Sequence, residues 1–330
     1  MARRWPLLIT LMAALVAVPA AAIAGGRAPV ATAAASGPPL QLVAEPQAGN
    51  KPFLAMISRA RHSVELTMYE LSDARLEGAL AGAAKRGVDV RVLLNGGYYS
   101  ERESENAGAY AYLKSHGVHV RYTPTYFALT HQKTLTIDGV ESAVMTLNFD
   151  GEYANTRDYG VLDRQPADVR AIVAAFDADW SGQKITPSYG SSDLVWSPGA
   201  SSIVLDLIKS ARSSIDLENE EMDYTPATDA LCAAARRGVK VEIVMTYESD
   251  WDSALKQLSG CGAQIHLYHG QSYYIHAKLL LVDGLKALVS SQNLSTTSLN
   301  YNRELGIELR ARAIISQLER DFASDYAGGG

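Results

Sequence analysis

The sequence predicts a mixed α/β chain built from two copies of one unit. Each copy is a mixed β-sheet flanked by helices, and a pseudo-two-fold axis relates the two. Three observations predict this. The segment LAMISRAR at residues 54–61 returns as LDLIKSAR at 205–212, and AAKRGVDV at 83–90 returns as AARRGVKV at 234–241. Both pairs lie 151 residues apart with no gap between them, so a unit near 140 residues is repeated, far longer than a solenoid repeat. Within each copy, strand and helix patterns alternate and then give way to a run of strands, which calls for a mixed sheet with helices on its faces. Two fused copies related in this way resemble a symmetric dimer joined into one chain.

In the first copy, helical spacing covers residues 51–61, 74–86, 106–115 and 166–180. Strand patterns cover 63–71, 88–94, 118–122, 131–137, 141–147 and 158–162. The second copy has strands over 214–219, 239–246, 264–268, 276–282, 286–291 and 304–309, and a closing helix over 311–325. The first copy is expected to occupy 43–187 and the second 188–330. Apolar residues make up 47% of the 330 and charged residues 20%, a globular composition that excludes a disordered chain. The formal net charge of −6 argues against a general grip on polyanions, which needs clustered Lys and Arg.

The first residues read as a leader rather than as fold. Arg3 and Arg4 precede an apolar run, and Ala22-Ile23-Ala24 is a small-residue cleavage site. Residues 1–24 are therefore expected to be a signal peptide, with the mature protein secreted or periplasmic. An uncleaved anchor is the alternative. Cleavage removes Arg3 and Arg4 and leaves 28 basic residues against 36 acidic. Residues 25–42, rich in Ala, Gly and Pro, are expected to be a flexible lead-in. Cys232 and Cys261 are the only cysteines. In an exported chain they are a permitted disulfide pair, and the alternative is two small buried side chains.

The chemistry lies in a second repeated set. HQKTLTIDG at 131–139 matches HAKLLLVDG at 276–284, which aligns His131 with His276, Lys133 with Lys278 and Asp138 with Asp283. Ten residues past each aspartate stands an asparagine, Asn148 and Asn293, with a hydroxyl two before it, Thr146 and Ser291. Acids follow in matched settings, Asp158-Tyr-Gly-Val and Glu304-Leu-Gly-Ile. Polar residues at i and i+2 of an otherwise apolar strand share a face and must be satisfied there. Asp138 and Asp283 precede glycines in a hairpin-turn pattern, so they are read as turn residues rather than proton carriers.

Two His-x-Lys-x₄-Asp motifs, each followed by a hydroxyl and an asparagine, resemble the phospholipase D superfamily, and the likeness extends over residues 43–327. The resemblance implies the pseudo-two-fold phospholipase D/nuclease fold, one active site between the halves, a phosphohistidine mechanism, and no metal or other cofactor. It implies that His131 is the nucleophile and His276 the acid, with Glu304 orienting His131 and Asp158 orienting His276. Lys133, Lys278, Asn148 and Asn293 then stabilise the charge that develops on phosphoryl oxygens. The sequence departs from the family pattern in having Met145 and Ser290 where glycine is usual, so altered packing is expected, with Met145 narrowing the pocket. The expected substrate is a phospholipid at a membrane surface, with release of phosphatidic acid and a free head group. A nuclease acting on nucleic acid and a catalytically inactive phosphate- or lipid-binding module are the alternatives. One chain should hold one site, so a monomer is expected. The acidic run Glu218-Asn-Glu220-Glu221 reads as a solvated strand end; the alternative is that it lines the pocket, where it would repel a polyanion and suit a cationic head group. Tyr98, Tyr99, Tyr273 and Tyr274 fall in loops where they meet a lipid interface, stack on bases, or pack.

Overall fold

Each half folds as strand, helix, strand, helix, strand, helix, and then a strand meander closed by a long helix. The computed structural model describes residues 38–96, 105–150, 155–185, 193–270 and 273–328. The first half contains β1 (Leu40–Glu45), α1 (Lys51–Arg59), β2 (Ser63–Met68), α2 (Ala74–Lys85), β3 (Asp89–Leu94), α3 (Ala107–Ser115) and β4 (His119–Tyr122). It continues through β5 (Thr134–Ile137), β6 (Glu141–Met145), β7 (Thr156–Asp163) and α4 (Pro166–Ser181). The second half contains β8 (Leu194–Ser197), α5 (Ala200–Ser210), β9 (Ser214–Glu218), α6 (Thr225–Arg236), β10 (Lys240–Thr246), α7 (Asp252–Gly260) and β11 (Gln264–Tyr268). It ends with β12 (Tyr274–Ile275), β13 (Leu279–Val282), β14 (Lys286–Ser290), α8 (Thr296–Asn300), β15 (Glu304–Leu309) and α9 (Arg312–Tyr326).

The first sheet has the order β1-β7-β6-β5-β2-β3-β4 and the second, read in the same sense, β8-β15-β14-β13-β9-β10-β11. The order is the same in both. β2, β3 and β4 are parallel, as are β9, β10 and β11, while the meander strands are antiparallel. Side-chain alternation splits each meander strand between two cores. Leu280 and Val282 of β13 join the outer core of the second half beneath α5 and α6, whereas Leu279 and Leu281 join a central core. That central core also takes Val144 from β6, Tyr159 and Val161 from β7, Ile172 from α4 and Ile315 from α9. The halves are therefore welded through a shared apolar layer, and residues 34–330 form one compact unit.

Several expectations change. The leader over residues 1–24 and most of the lead-in over 25–42 lie outside the described residues, as do Tyr98 and Tyr99. Residues 40–42 of that lead-in are not loose but begin β1, which pairs with β7 from Leu40↔Asp163 onward. Leu40, Leu42 and Ala44 alternate onto the central core, a pattern too short to stand out beside an Ala/Pro-rich stretch. The strands expected over 131–137 and 276–282 start only at Thr134 and Leu279, because the histidine-bearing residues leave their own sheet to dock on the other. β12 pairs in parallel with Thr156–Arg157 of β7, and Thr130 forms the equivalent bridge to Arg303. Cys232 and Cys261, the pair left open above, are joined in a disulfide that ties α6 to the end of α7.

Two buried ion pairs hold this exchange. Arg303 of the second half donates to Asp179 at the end of α4 (2.7 and 2.8 Å), and Arg157 of the first half donates to Asp325 in α9 (2.5 and 3.0 Å). Arg303 and Asp325 are fully buried. Stripping one partner from a buried pair leaves an uncompensated charge, so Asp179→Ala should cost about 3–5 kcal/mol of unfolding free energy. Lys240→Ala, at the exposed Lys240–Glu242 pair, should cost under about 1 kcal/mol. Urea unfolding of the two variants checks the contrast, and equal costs would contradict it.

Candidate active site

The two motif segments meet where the halves cross. The backbone N–H groups of His131 and Gln132 donate to the carbonyl of Arg303 (both 2.9 Å), and those of His276 and Ala277 donate to the carbonyl of Arg157 (3.2 and 2.9 Å). Each histidine is thus seated on the strand that carries the other half's acid. His131 Nδ1 lies 3.0 Å from Glu304 Oε2 and 3.1 Å from the Ser291 carbonyl. His276 Nδ1 lies 2.9 and 3.0 Å from the two oxygens of Asp158. A carboxylate on Nδ1 fixes the tautomer and leaves Nε2 for chemistry.

The acids are themselves held. Glu304 accepts from Ser298 Oγ (2.6 Å) and Asn302 Nδ2 (3.0 Å), and Asp158 accepts from Thr146 Oγ1. The Thr146 hydroxyl also accepts from Tyr159 N at 2.8 Å, and Ser291 Oγ accepts from Leu305 N at 3.1 Å. Both motif hydroxyls therefore brace the acid-bearing strand. Asp138 and Asp283 sit at φ 51° and 56° in their turns. Asp138 accepts the backbone N–H groups of Arg61, His62 and Ser63, and Asp283 those of Arg212, Ser213 and Ser214. They tie the meander to the strand entrance and reach neither histidine.

Lys133 and Lys278 are buried, and each donates to the carbonyl of the histidine two residues before it, at 2.9 and 2.6 Å. In front of them the halves differ. Lys133 stands over the Tyr69 ring, 5.0 Å from its centroid, and that ring packs edge-on against His131. Lys278 instead donates to Glu220 Oε2 at 2.8 Å. Asn148 Nδ2 reaches Glu70 at 3.3 Å and Asn293 Nδ2 reaches Glu220 at 3.4 Å. The acidic run is thus not a solvated strand end: Glu218 is fully buried, Glu220 enters the site, and Glu221 lines the cavity beside His131. The strand carrying the run lies next to the motif strand β13, so its end is delivered to Lys278.

Met145 does not narrow the pocket. It is fully buried in the outer core of the first half and faces Gly160 across the strand pair. A Cβ on Gly160 would come within 2.9 Å of the Phe53 ring, and one on Gly306 within 2.5 Å of Ser290 Cβ. The missing motif glycines are offset by glycines on the neighbouring strand. Tyr273 packs with its hydroxyl on Asp325, and Tyr274 donates to Glu220. Sequence reasoning missed Arg157 and Arg303, although each immediately precedes a matched acid. It also missed Tyr69 and Glu70. Tyr69 pairs in the repeat with an unlike residue, so comparing the copies gave no signal.

Burial drives the His131 imidazole down to about 4, aided by the positive charge of Lys133 and opposed by Glu304. Burial, and then repulsion from Lys278, lowers the Lys133 ammonium to about 7. Burial and the neighbouring Glu105 push Glu70 up to about 8. Since Lys278 acts on both Lys133 and His131, the two motifs share one electrostatic site. Two cavities flank it. One of about 180 Å³ is lined by His276, Asn148, Glu45, Asp150 and Arg75, and one of about 260 Å³ by His131, Tyr69, Trp251, Glu221, Asp223 and several hydroxyls.

The sequence profile of the family described as "Cardiolipin synthase, PLD-like domain" matches residues 53–180 and 204–326. The chain belongs to the phospholipase D superfamily. It is 26% identical over 327 residues to a cardiolipin synthase of Geobacillus kaustophilus, a match that covers 83% of this chain and 63% of that protein. The chain thus spans less than two thirds of that relative's length. Among solved structures, it superposes on phosphatidylserine synthase of Haemophilus influenzae (TM-score 0.65, 11% identity), covering 87% of this chain and 86% of that one. It also superposes on polyphosphate kinase of Porphyromonas gingivalis (TM-score 0.67, 15% identity), covering 86% of this chain and 46% of that one. These two superpositions show a shared fold.

If neutral His131 and charged Lys133 are both required, kcat/KM should fall as pH drops through about 4 and His131 gains its proton. It should fall again as pH rises through about 7 and Lys133 loses its proton. A pH–rate profile of kcat/KM checks both limbs, and an acid limb near the ordinary histidine value would contradict the reading.

Proposed function

We propose that this chain is an exported phospholipase D-type enzyme that cleaves the head-group phosphodiester of phospholipids through a covalent phosphohistidine. The crossed arrangement carries the reading: each ring is oriented by the other half's acid, and both lysines stand beside the rings. In the first step His131 Nε2 attacks phosphorus, and the leaving head-group oxygen takes the proton of His276 Nε2. In the second step water gives a proton to His276 and its oxygen displaces His131 from phosphorus. Lys133, Lys278, Asn148 and Asn293 hold the phosphoryl oxygens through both steps.

Both flanking cavities carry carboxylates, Glu45 and Asp150 on one side, Glu221 and Asp223 on the other. A cationic or hydroxylated head group suits such walls, whereas a polynucleotide backbone is repelled by them. This favours phospholipid over nucleic acid. The relatives' name, cardiolipin synthase, favours a second reading in which an alcohol replaces water as acceptor. Among the described residues no helix is long and apolar enough to cross a membrane.

The test is turnover of phosphatidylglycerol, phosphatidylethanolamine and phosphatidylcholine vesicles beside single- and double-stranded DNA, in EDTA, with and without added glycerol. Head-group release in EDTA is expected, and added glycerol reports how alcohol competes with water. Rapid DNA cleavage without head-group release would overturn the substrate. Quenching in alkaline denaturant, where the acid-labile N–P bond survives, with phosphorus-labelled lipid should trap label on wild type and His276→Ala but not on His131→Ala. His276→Ala should lose about 10²–10⁴-fold in rate. The reverse labelling pattern would exchange the two roles.

A further inference from the structure

Tyr69 and Glu220 occupy the same place in the two halves. They share the 151-residue offset of the repeat, and the chain just beyond each makes equivalent bridges, Leu71 to Phe149 and Met222 to Leu294. One half presents a neutral ring to its motif lysine and the other a carboxylate. Glu220 is built into that position. Its Oε2 lies 2.8 Å from Lys278 Nζ, 3.4 Å from Asn293 Nδ2 and 3.6 Å from His276 Nε2, while its Oε1 accepts from the Tyr274 hydroxyl at 3.0 Å. Burial alone would favour the neutral acid, but Lys278 and then His276 outweigh it, and Glu220 is held far below the ordinary carboxylate range.

We propose that Glu220 sets the charge selectivity of the site, admitting singly charged phosphodiesters and excluding doubly charged phosphomonoesters. The inference rests on the phosphodiester reading above. Of the two motif lysines, Lys278 is neutralised by Glu220 at hydrogen-bond distance, which leaves at most the single positive charge of Lys133 to meet the phosphate. A phosphodiester carries one negative charge, so it is matched by what remains. A monoester carries nearly two at neutral pH, and its second charge is placed against the carboxylate. Hydrolysis converts a diester into a monoester, so the same residue that tolerates the substrate expels the phosphate-bearing product.

Methyl phosphate and dimethyl phosphate are the probes, since they differ by one methyl group and, near neutrality, by about one charge. Their binding to the purified chain is measured by calorimetry near neutral pH. Wild type should bind dimethyl phosphate more tightly. Glu220→Gln should tighten methyl phosphate by about tenfold or more while changing dimethyl phosphate by less than about threefold. Glu220→Asp, which keeps the charge, should retain the wild-type preference. A second measurement needs no variant: near pH 5, where both probes carry about one charge, the wild-type preference should vanish. Tighter methyl phosphate binding by wild type at neutrality would overturn the proposal. So would equal shifts of both probes in Glu220→Gln, or no methyl phosphate binding by that variant. Neither measurement depends on turnover. If the preference behaves as stated but no phospholipid is cleaved, the substrate reading falls and the role of Glu220 stands.

Discussion

Everything at the site depends on an exchange between the halves: each histidine-bearing segment leaves its own sheet and docks on the carbonyl of the other half's arginine. That single contact fixes three things together. It seats the backbone of the histidine, through His131 on Arg303 and His276 on Arg157. It brings Nδ1 against the acid next to that arginine. It also joins the halves, since each arginine side chain is clamped by the closing helix of the opposite half. A buried Arg–Asp pair is a poor source of net stability but a strong constraint on register, because any slip strands a charge in the interior. Catalytic geometry and lobe docking therefore cannot be loosened independently.

The shared apolar layer explains why this device holds its shape. Leu279 and Leu281 from one sheet and Val144 and Val161 from the other face the same core. β13, the strand LLLV, is apolar on both faces, as a strand buried between two layers is expected to be. Among the polar exceptions, Thr146 and Ser291 are satisfied by the neighbouring backbone and by Asp158, while Asp158 and Glu304 are satisfied by the histidines and by the side chains of Thr146, Ser298 and Asn302. Polar groups at that depth are affordable only as complete networks, which is why the matched polar residues recur in both copies while much around them has diverged.

The repeat and the paired motifs made the duplicated mixed-sheet architecture, most of the succession of elements along each half and the polar set legible in the sequence. What was not legible shares one physical character, contact between distant segments. β1 and β8 are short edge strands whose meaning comes from β7 and β15. β12 exists only because a first-half strand is there to receive it. Met145 was expected in the pocket because it replaces a motif glycine. Its side chain turned out to fill space left by Gly160 on the next strand, and a chain read in order gives no view across strands. Arg157 and Arg303 were visible as a repeated pair, but their partners Asp179 and Asp325 lie at helix ends in the opposite halves.

Symmetry itself sets the last constraint. Two identical half-sites would give two equivalent imidazoles, whereas a two-step displacement needs one ring free of its proton and another that carries one. The duplication must therefore be broken somewhere near the rings without disturbing the parts that position them. The positioning parts are the matched ones: the arginine carbonyls, the acids, the hydroxyls and the turn aspartates. The break falls in front of the lysines, where Tyr69 stands in one half and Glu220 in the other. Lys133 meets a neutral ring rather than a directly bonded carboxylate, and its positive charge adds to burial in lowering the His131 imidazole. In the second half a carboxylate oxygen lies 3.6 Å from His276 Nε2, where the first half sets the Tyr69 ring against His131. The exchange of Tyr69 for Glu220 across the repeat thus gives the two histidines unlike surroundings, while the arginine carbonyls and acids that seat them keep the same arrangement.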